Sequence, residues 1–379
     1  MLKVINVVGA RPNFMKIAPL IRAMDEHAEE IDHLLVHTGQ HYDDKMSKFF
    51  FDDLGLPKPD IDLEVGSGSH ARQTAGVMVA FEKVLLRERP HLVVVVGDVN
   101  STMACTITAK KLGIKVAHVE AGLRSRDITM PEEINRLCTD VLADYLFTTD
   151  YIADRNLHRE GVPNDKIFFV GNVMIDTLLA HKKRASQLDT YRRFGLGKHG
   201  YIVMTMHRPA NVDNRDILSG ILKSLKKISA DIPILFPCHP RTLKMIRTFG
   251  LEKLLQPATE KGEKLLSGFF VTEPLGYLDF LNLNMNSRLV LTDSGGLQEE
   301  TTVLGVPCIT MRPNTERPIT EELGTNHVVG NDPLAVEKKI HAILTNRNEQ
   351  GKIPPRWDGK AGQRIVQVLL NQKQALGKR

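Results

Sequence analysis

The sequence predicts an α/β protein made of two doubly wound parallel sheets. Three observations lead there. The chain has 379 residues, more than one comfortable core accommodates. Apolar runs of strand length alternate with amphipathic runs of helix length, the pattern of successive βαβ units. The apolar runs are also Val-rich without polar alternation, LVVVV at 92–96 above all, as parallel strands buried on both faces require.

In the first half, strands are expected at 3–8, 33–37, 91–96, 115–119, 145–148 and 167–170. In the second half they are expected at 201–205, 232–236, 269–271, 288–292 and 308–311. A charged helix over 182–193, ending in Gly195 and the loop GLGKHG, places the break between the halves within 172–200. A last helix over 359–375 carries Ile365, Val366, Leu369 and Leu370 on one face. Hydrophobic residues make up 42% of the chain and charged residues 25%, which argues against disorder and against a coiled coil. The formal charge of +5 is mild; it suits an anionic small molecule, and no Lys/Arg tract is dense enough for nucleic acid. Four scattered cysteines without a CxxC pair read as reduced thiols. The N-terminal MLKVINVVGARPNF lacks the features of a signal peptide and is too short to span a membrane, so a soluble, cytoplasmic protein without a membrane partner is expected.

In doubly wound sheets, ligands bind beyond the carboxyl ends of the strands. The first strand ends in Gly9-Ala10-Arg11-Pro12-Asn13, with Lys16 one turn further. These are either surface charges or a grip on phosphate or carboxylate. After the third strand, Asp98 either caps the next helix or lines a site. In HVEAGLRSRDITMPEEINR (118–136), helix-start chemistry explains Glu133, but Glu120 follows a buried strand with no capping role. Neighbouring strand-end carboxylates are what proton transfer needs. In the second half, His207-Arg208 and His239-Pro240-Arg241 each follow a strand, which favours a polyanion site. The rival is a metal held by His118, Glu120, His207 and His239, and no HxxxH or HxH spacing supports it, so no metal is expected. GxGxxG is absent after the first strand, which argues against a nicotinamide cofactor. Finally, TDSGGLQEET (292–301) combines a glycine turn at a helix start with acids one turn on. Phosphate donors followed by an acceptor for ribose hydroxyls point to a nucleoside diphosphate.

Ten blocks occur in family order: GARPNFMK, HTGQHYD, VGDVNST, HVEAGLRS, MPEEINR, MHRPANVD, CHPRT, EPLGYLDFL, TDSGGLQEE and NTERP. Together they resemble the non-hydrolysing UDP-N-acetylglucosamine 2-epimerases. The resemblance implies a GT-B fold: two Rossmann-like domains with the active site in the interdomain cleft, and a last helix crossing back to the first domain. The domains would be 1–172 with 360–379, and 173–359. It implies interconversion of UDP-GlcNAc and UDP-ManNAc, with a UDP-sugar substrate as partner, no cofactor, and a homodimer. Since C2–H is not activated in place and no nicotinamide fingerprint is present, elimination of UDP to 2-acetamidoglucal and re-addition is the consistent chemistry.

Carried over by motif, Asp98, Glu120 and Glu132 resemble the acid/base carboxylates, with His207 beside the reacting sugar. Arg11, Lys16, Arg136, Arg208 and Arg317 resemble substrate contacts, and Ser294, Gly295 and Gly296 the phosphate-binding turn. Glu300 resembles the ribose acid and Phe280 the aromatic beside uracil. Gln40, His41 and His239 fall in blocks that border an activating second site in bacterial members. Glu299 has no assigned role, and a solvent-facing or structural one is expected. Asn13 stands where many members have Glu, and Val99-Asn100-Ser101-Thr102 where many have a Thr-rich run. These departures keep open a related UDP-sugar such as UDP-2,3-diacetamido-2,3-dideoxy-glucuronic acid. A hydrolysing epimerase, a GT-B glycosyltransferase and a UDP-sugar binding module are also compatible with the sequence.

Overall fold

A computed structural model describes residues 1–39, 55, 58–260, 262–346 and 351–376. The chain forms two compact units. One comprises Met1–Ala180 and Pro355–Arg379, the other His181–Pro354.

The strands of the first unit are β1 (Leu2–Val8), β2 (Ile31–His37), β3 (Ile61–Asp62), β4 (Leu92–Val96), β5 (Lys115–Ala121), β6 (Tyr145–Thr148) and β7 (Ile167–Phe169). They pair in the order β3-β2-β1-β4-β5-β6-β7, every pair parallel. All five residues of β4 are buried, as the unbroken Val run requires of a strand covered on both faces. Strand order reverses between β1 and β4, so the crevice for a ligand lies beyond the carboxyl ends of these two strands. There the chain reads Gly9-Ala10-Arg11 and Gly97-Asp98.

The second unit repeats the scheme with β8 (Ile202–Met204), β9 (Ile234–Pro237), β10 (Gln256–Pro257), β11 (Phe269–Thr272), β12 (Leu289–Thr292), β13 (Cys308–Thr310) and β14 (Asn326–Val328), in the order β10-β11-β9-β8-β12-β13-β14. Here the switch falls between β8 and β12, and His207 and Asp293 follow those strands. One core of the unit gathers Met204, Leu222, Phe236, Phe269 and Ile309.

All eleven expected strands are present. Three that sequence reading missed, β3, β10 and β14, are two or three residues long and lie at sheet edges, too short to carry a periodic signal. The charged helix expected over 182–193 is instead two helices, Val173–Ser186 and Thr190–Arg193. The last helix spans Ala361–Asn371, followed by a short turn of helix at Lys373–Leu376.

That last helix belongs to the first unit. It packs on the first helix, Arg11–Asp25, burying Ile365, Val366 and Leu369. Trp357 anchors the segment before it, with its indole N–H donating to Thr149 O at 3.0 Å. Asp176 receives the Gly362 N–H at 2.7 Å, which satisfies a donor of the helix's first turn.

Candidate functional site

In the first unit the site is built around Glu120. This residue sits at an irregularity in β5 between Val119 and Ala121, with φ at +71°. Such a conformation is costly for a residue with a side chain and persists only where the surroundings enforce it. The Lys16 ammonium, from the second turn of the first helix, meets Glu120 Oε2 at 2.5 Å, and both side chains are buried. Glu120 Oε1 is also buried, and no described residue hydrogen-bonds to it. The pair therefore holds a buried carboxyl group with one oxygen that no described residue bonds, and a buried ion pair left partly unsatisfied adds little to stability.

Gly97 makes room for the pair. Its φ is +67°, and a Cβ there would lie 2.8 Å from Lys16 Nζ. Asn13 closes the same turn, accepting from Ala10 N at 3.0 Å and donating to Val96 O at 2.7 Å. Its amide thus ties together the backbone at the ends of β1 and β4.

Asp98 keeps 23% of its side chain exposed and bonds Arg136 at 2.6 Å. Arg136 is buried and also holds Glu133 at 2.5 Å. Glu133 in turn accepts the backbone N–H groups of Ser125 and Arg126. Helix-start chemistry is thus only part of the account of Glu133, which also fixes the loop after β5. Glu132 is half-buried on the first turn of the same helix, Pro131–Leu142.

Behind Glu120, the fully buried His118 ring meets Asp140 Oδ1 at 2.6 Å and Gly97 O at 2.9 Å. Asp140 further accepts Gly122 N and pairs with Arg124. Burial pushes the Asp140 carboxyl up, but His118, Arg124 and the Gly122 amide outweigh it and hold the group below its ordinary range. With a carboxylate on one side and a carbonyl on the other, both His118 nitrogens are engaged, and the ring braces the Gly97 turn. It has no coordination left for a metal. Among the described residues, no group of three or more His, Cys, Asp or Glu is placed to hold a metal ion.

In the second unit, the helix Gly295–Leu304 follows β12 directly. Its first-turn N–H groups have no helical acceptor and carry the positive end of the dipole. Arg317 lies across this start, so close that a Cβ on Gly295 would collide with its guanidinium. Two acids fix Arg317: Glu299 at 2.9 Å and Glu316, which also pairs with Arg312. Glu299 is 1% exposed, so a solvent-facing role is ruled out; it holds the arginine over the turn. The two adjacent acids do not oppose an anion, because one of them is spent on the cation that would bind it.

Glu300 is also buried and accepts the Tyr277 hydroxyl at 3.2 Å. Burial pushes its carboxyl up to about 7, with the charge of Glu299 adding to the rise and the Tyr277 bond opposing it. The Tyr277 hydroxyl is raised well above its ordinary value, mainly by burial. Phe280, one turn after Tyr277, is partly buried against the adjoining core. His207 and Asp293 close the site on its β8 side, with the His207 ring 6.0 Å from that of His239. His239 is exposed and accepts Arg241 N at 3.2 Å, capping the next helix. Arg208 is half-buried beside them. Gln40 and His41 lie outside the described residues, as does the Arg11 side chain; the Arg11 backbone opens the first helix.

A family profile described as UDP-N-acetylglucosamine 2-epimerase matches residues 22–370. The chain belongs to the UDP-N-acetylglucosamine 2-epimerase family. Members of this family are isomerases. The UDP-N-acetylglucosamine 2-epimerase of Methanocaldococcus jannaschii is 44% identical over 373 residues, covering 97% of this chain and 99% of its own. A crystal structure of the Methanocaldococcus jannaschii UDP-GlcNAc 2-epimerase in complex with UDP-GlcNAc and UDP superposes with a TM-score of 0.87, at 43% identity, covering 98% of this chain and all of that one. The UDP-2,3-diacetamido-2,3-dideoxy-D-glucuronate 2-epimerase of Pseudomonas aeruginosa is 40% identical, over 97% of this chain and 99% of its own. The GT-B class expected from the motifs accords with these epimerase relatives and with the two parallel seven-stranded sheets.

Sequence reading missed Asp293, Tyr277 and Asp140. The first was legible in principle, as a carboxylate directly after β12. The other two act through packing, which no local pattern announces.

Proposed function

We propose that the protein interconverts UDP-GlcNAc and UDP-ManNAc without a cofactor or hydrolysis. The C1–O bond to UDP breaks, its electron pair leaves with the diphosphate, and the C2 proton passes to a carboxylate. The 2-acetamidoglucal so formed takes UDP back at C1 and a proton at C2 on the opposite face. The observation that carries this reading is Glu120: a buried acid in left-handed backbone, with an ammonium on one oxygen and no described residue bonded to the other. Such a group suits proton transfer at carbon. Asp98 and Glu132 would complete the exchange, with Arg11 and Arg136 beside them. Ser294, Gly295, Gly296, Arg317, Arg208 and His207 would stabilise the departing diphosphate. Glu300 would accept from the ribose and Phe280 would flank the uracil.

The UDP-GlcNAc and UDP in the Methanocaldococcus jannaschii relative support the substrate. The Pseudomonas aeruginosa relative supports a second reading, a diacetamido-glucuronate substrate. NMR in D₂O decides. With UDP-GlcNAc, deuterium should enter at C2 as UDP-ManNAc accumulates, and no free ManNAc should form. Absence of both C2 exchange and UDP-ManNAc would sink the reading for this substrate, and exchange only with the diacetamido-uronate would establish the second. Free UDP with free ManNAc would mark a hydrolysing enzyme. A homodimer in the cytoplasm completes the reading, and light scattering tests the dimer.

A further inference from the structure

The carboxylate of Asp293 is fully buried, yet four donors converge on it. The backbone N–H of His207 lies 3.1 and 3.0 Å from its two oxygens, and that of Arg208 lies 2.8 Å away. Asn211 Nδ2 lies at 3.1 Å, and the His207 ring reaches Oδ1 through Nδ1, also at 3.1 Å. Burial pushes the Asp293 carboxyl up, but the His207 ring and the two backbone N–H groups outweigh it and keep the group ionised. An ionised carboxylate only accepts, so His207 Nδ1 must carry a hydrogen. The ring keeps 40% of its surface exposed, and its Nε2 is the nitrogen left for a ligand.

Asp293 also joins the strands that flank the switch point of this sheet. It follows β12, and the backbone it grips follows β8. A second bond, Thr205 Oγ1 to Thr292 Oγ1 at 2.8 Å, ties the same two ends. The residue after Asp293 is Ser294, where the turn proposed above to hold the diphosphate begins. The carboxylate that orients the imidazole is therefore covalently continuous with that turn.

We propose that Asp293 is a positioning residue that holds His207 as the Nδ1–H tautomer and presents Nε2 to the diphosphate of the bound UDP-sugar. It touches no substrate and acts only through His207. This rests on the epimerase reading above, but its first test does not depend on turnover.

In full-length protein with ¹⁵N-labelled histidine, the neutral His207 ring, assigned by loss of its signals in His207→Gln, should show the Nδ1–H tautomer, with or without UDP. A predominantly Nε2–H ring overturns the proposal, whether or not any variant folds. Asp293→Asn should mix the tautomers and lower kcat about 10²-fold or more, as expected when a buried carboxylate stops holding its imidazole. The KM for UDP-GlcNAc should move far less. In a His207→Gln background, Asp293→Asn should cost little more, because the two act as one unit. Multiplicative losses would show that Asp293 serves only the scaffold and would overturn the assignment. If wild type shows no C2 exchange, the epimerase reading fails while the tautomer still judges the positioning.

Discussion

The residues proposed to carry the chemistry are held by the fold in states that the free chain would not adopt. Glu120 combines left-handed backbone, burial and one ammonium partner. Glu120→Gln keeps the shape and removes the charge, so C2 exchange should fall about 10²–10⁴-fold while UDP binding, followed by calorimetry, survives. Glu300 offers a pH test. Its carboxyl titrates at about 7, so below that pH it is mostly neutral and one oxygen cannot accept from a ribose hydroxyl. UDP-GlcNAc affinity should rise as pH climbs through 7, with net proton release on binding. Calorimetry in buffers of different ionisation enthalpy reads that release, and Glu300→Gln should abolish it. UDP-GlcNAc is the ligand of choice, since its diphosphate is a diester with no ionisation of its own in this range.

At the scale of elements, the first helix carries a proline, Pro19, in its interior. Proline has no N–H, so the carbonyl four residues earlier, Met15 O, loses its helical donor. Thr177 supplies the replacement, donating from Oγ1 at 2.6 Å. Thr177→Val should leave that buried carbonyl unsatisfied and cost about 1–3 kcal/mol, measured by urea unfolding. In a Pro19→Ala background the helix regains its own donor, and the same substitution should cost clearly less; equal costs would refute the link. The three edge strands make the complementary point. β3, β10 and β14 are held by pairing to a longer neighbour, so their existence depends on the sheet and not on any pattern of their own.

At the scale of the whole molecule, one chain builds two sheets of like order, and chain direction alone does not decide which unit a segment joins. Residues after Pro354 return to the first unit, where Leu369 is fully buried. Leu369→Ala should destabilise that unit by about 2–5 kcal/mol. Hydrogen-exchange mass spectrometry should show protection lost over β1–β7, with the strands around Gly295 much less affected. The carboxylates proposed to move protons belong to the first unit, and the groups proposed to hold the nucleotide belong to the second.

Much of the molecule is legible in its amino-acid order. Strand-length Val-rich runs reveal parallel sheets because burial on both faces leaves no room for alternation, and in such sheets the carboxyl ends of the strands are where candidate site residues are sought. Asp98, Glu120, His207 and the Ser294–Gly296 turn follow from that rule. The architecture and the chemical types at the strand ends are thus written into the chain itself. Folding alone settles which of two adjacent acids faces what: Glu299 goes to Arg317 and Glu300 to Tyr277, and Glu133 braces a loop while Glu132 stays half-buried. The reason is physical. A side chain's role depends on its burial and on its partners from distant segments, and TDSGGLQEET contains neither Arg317 nor Tyr277.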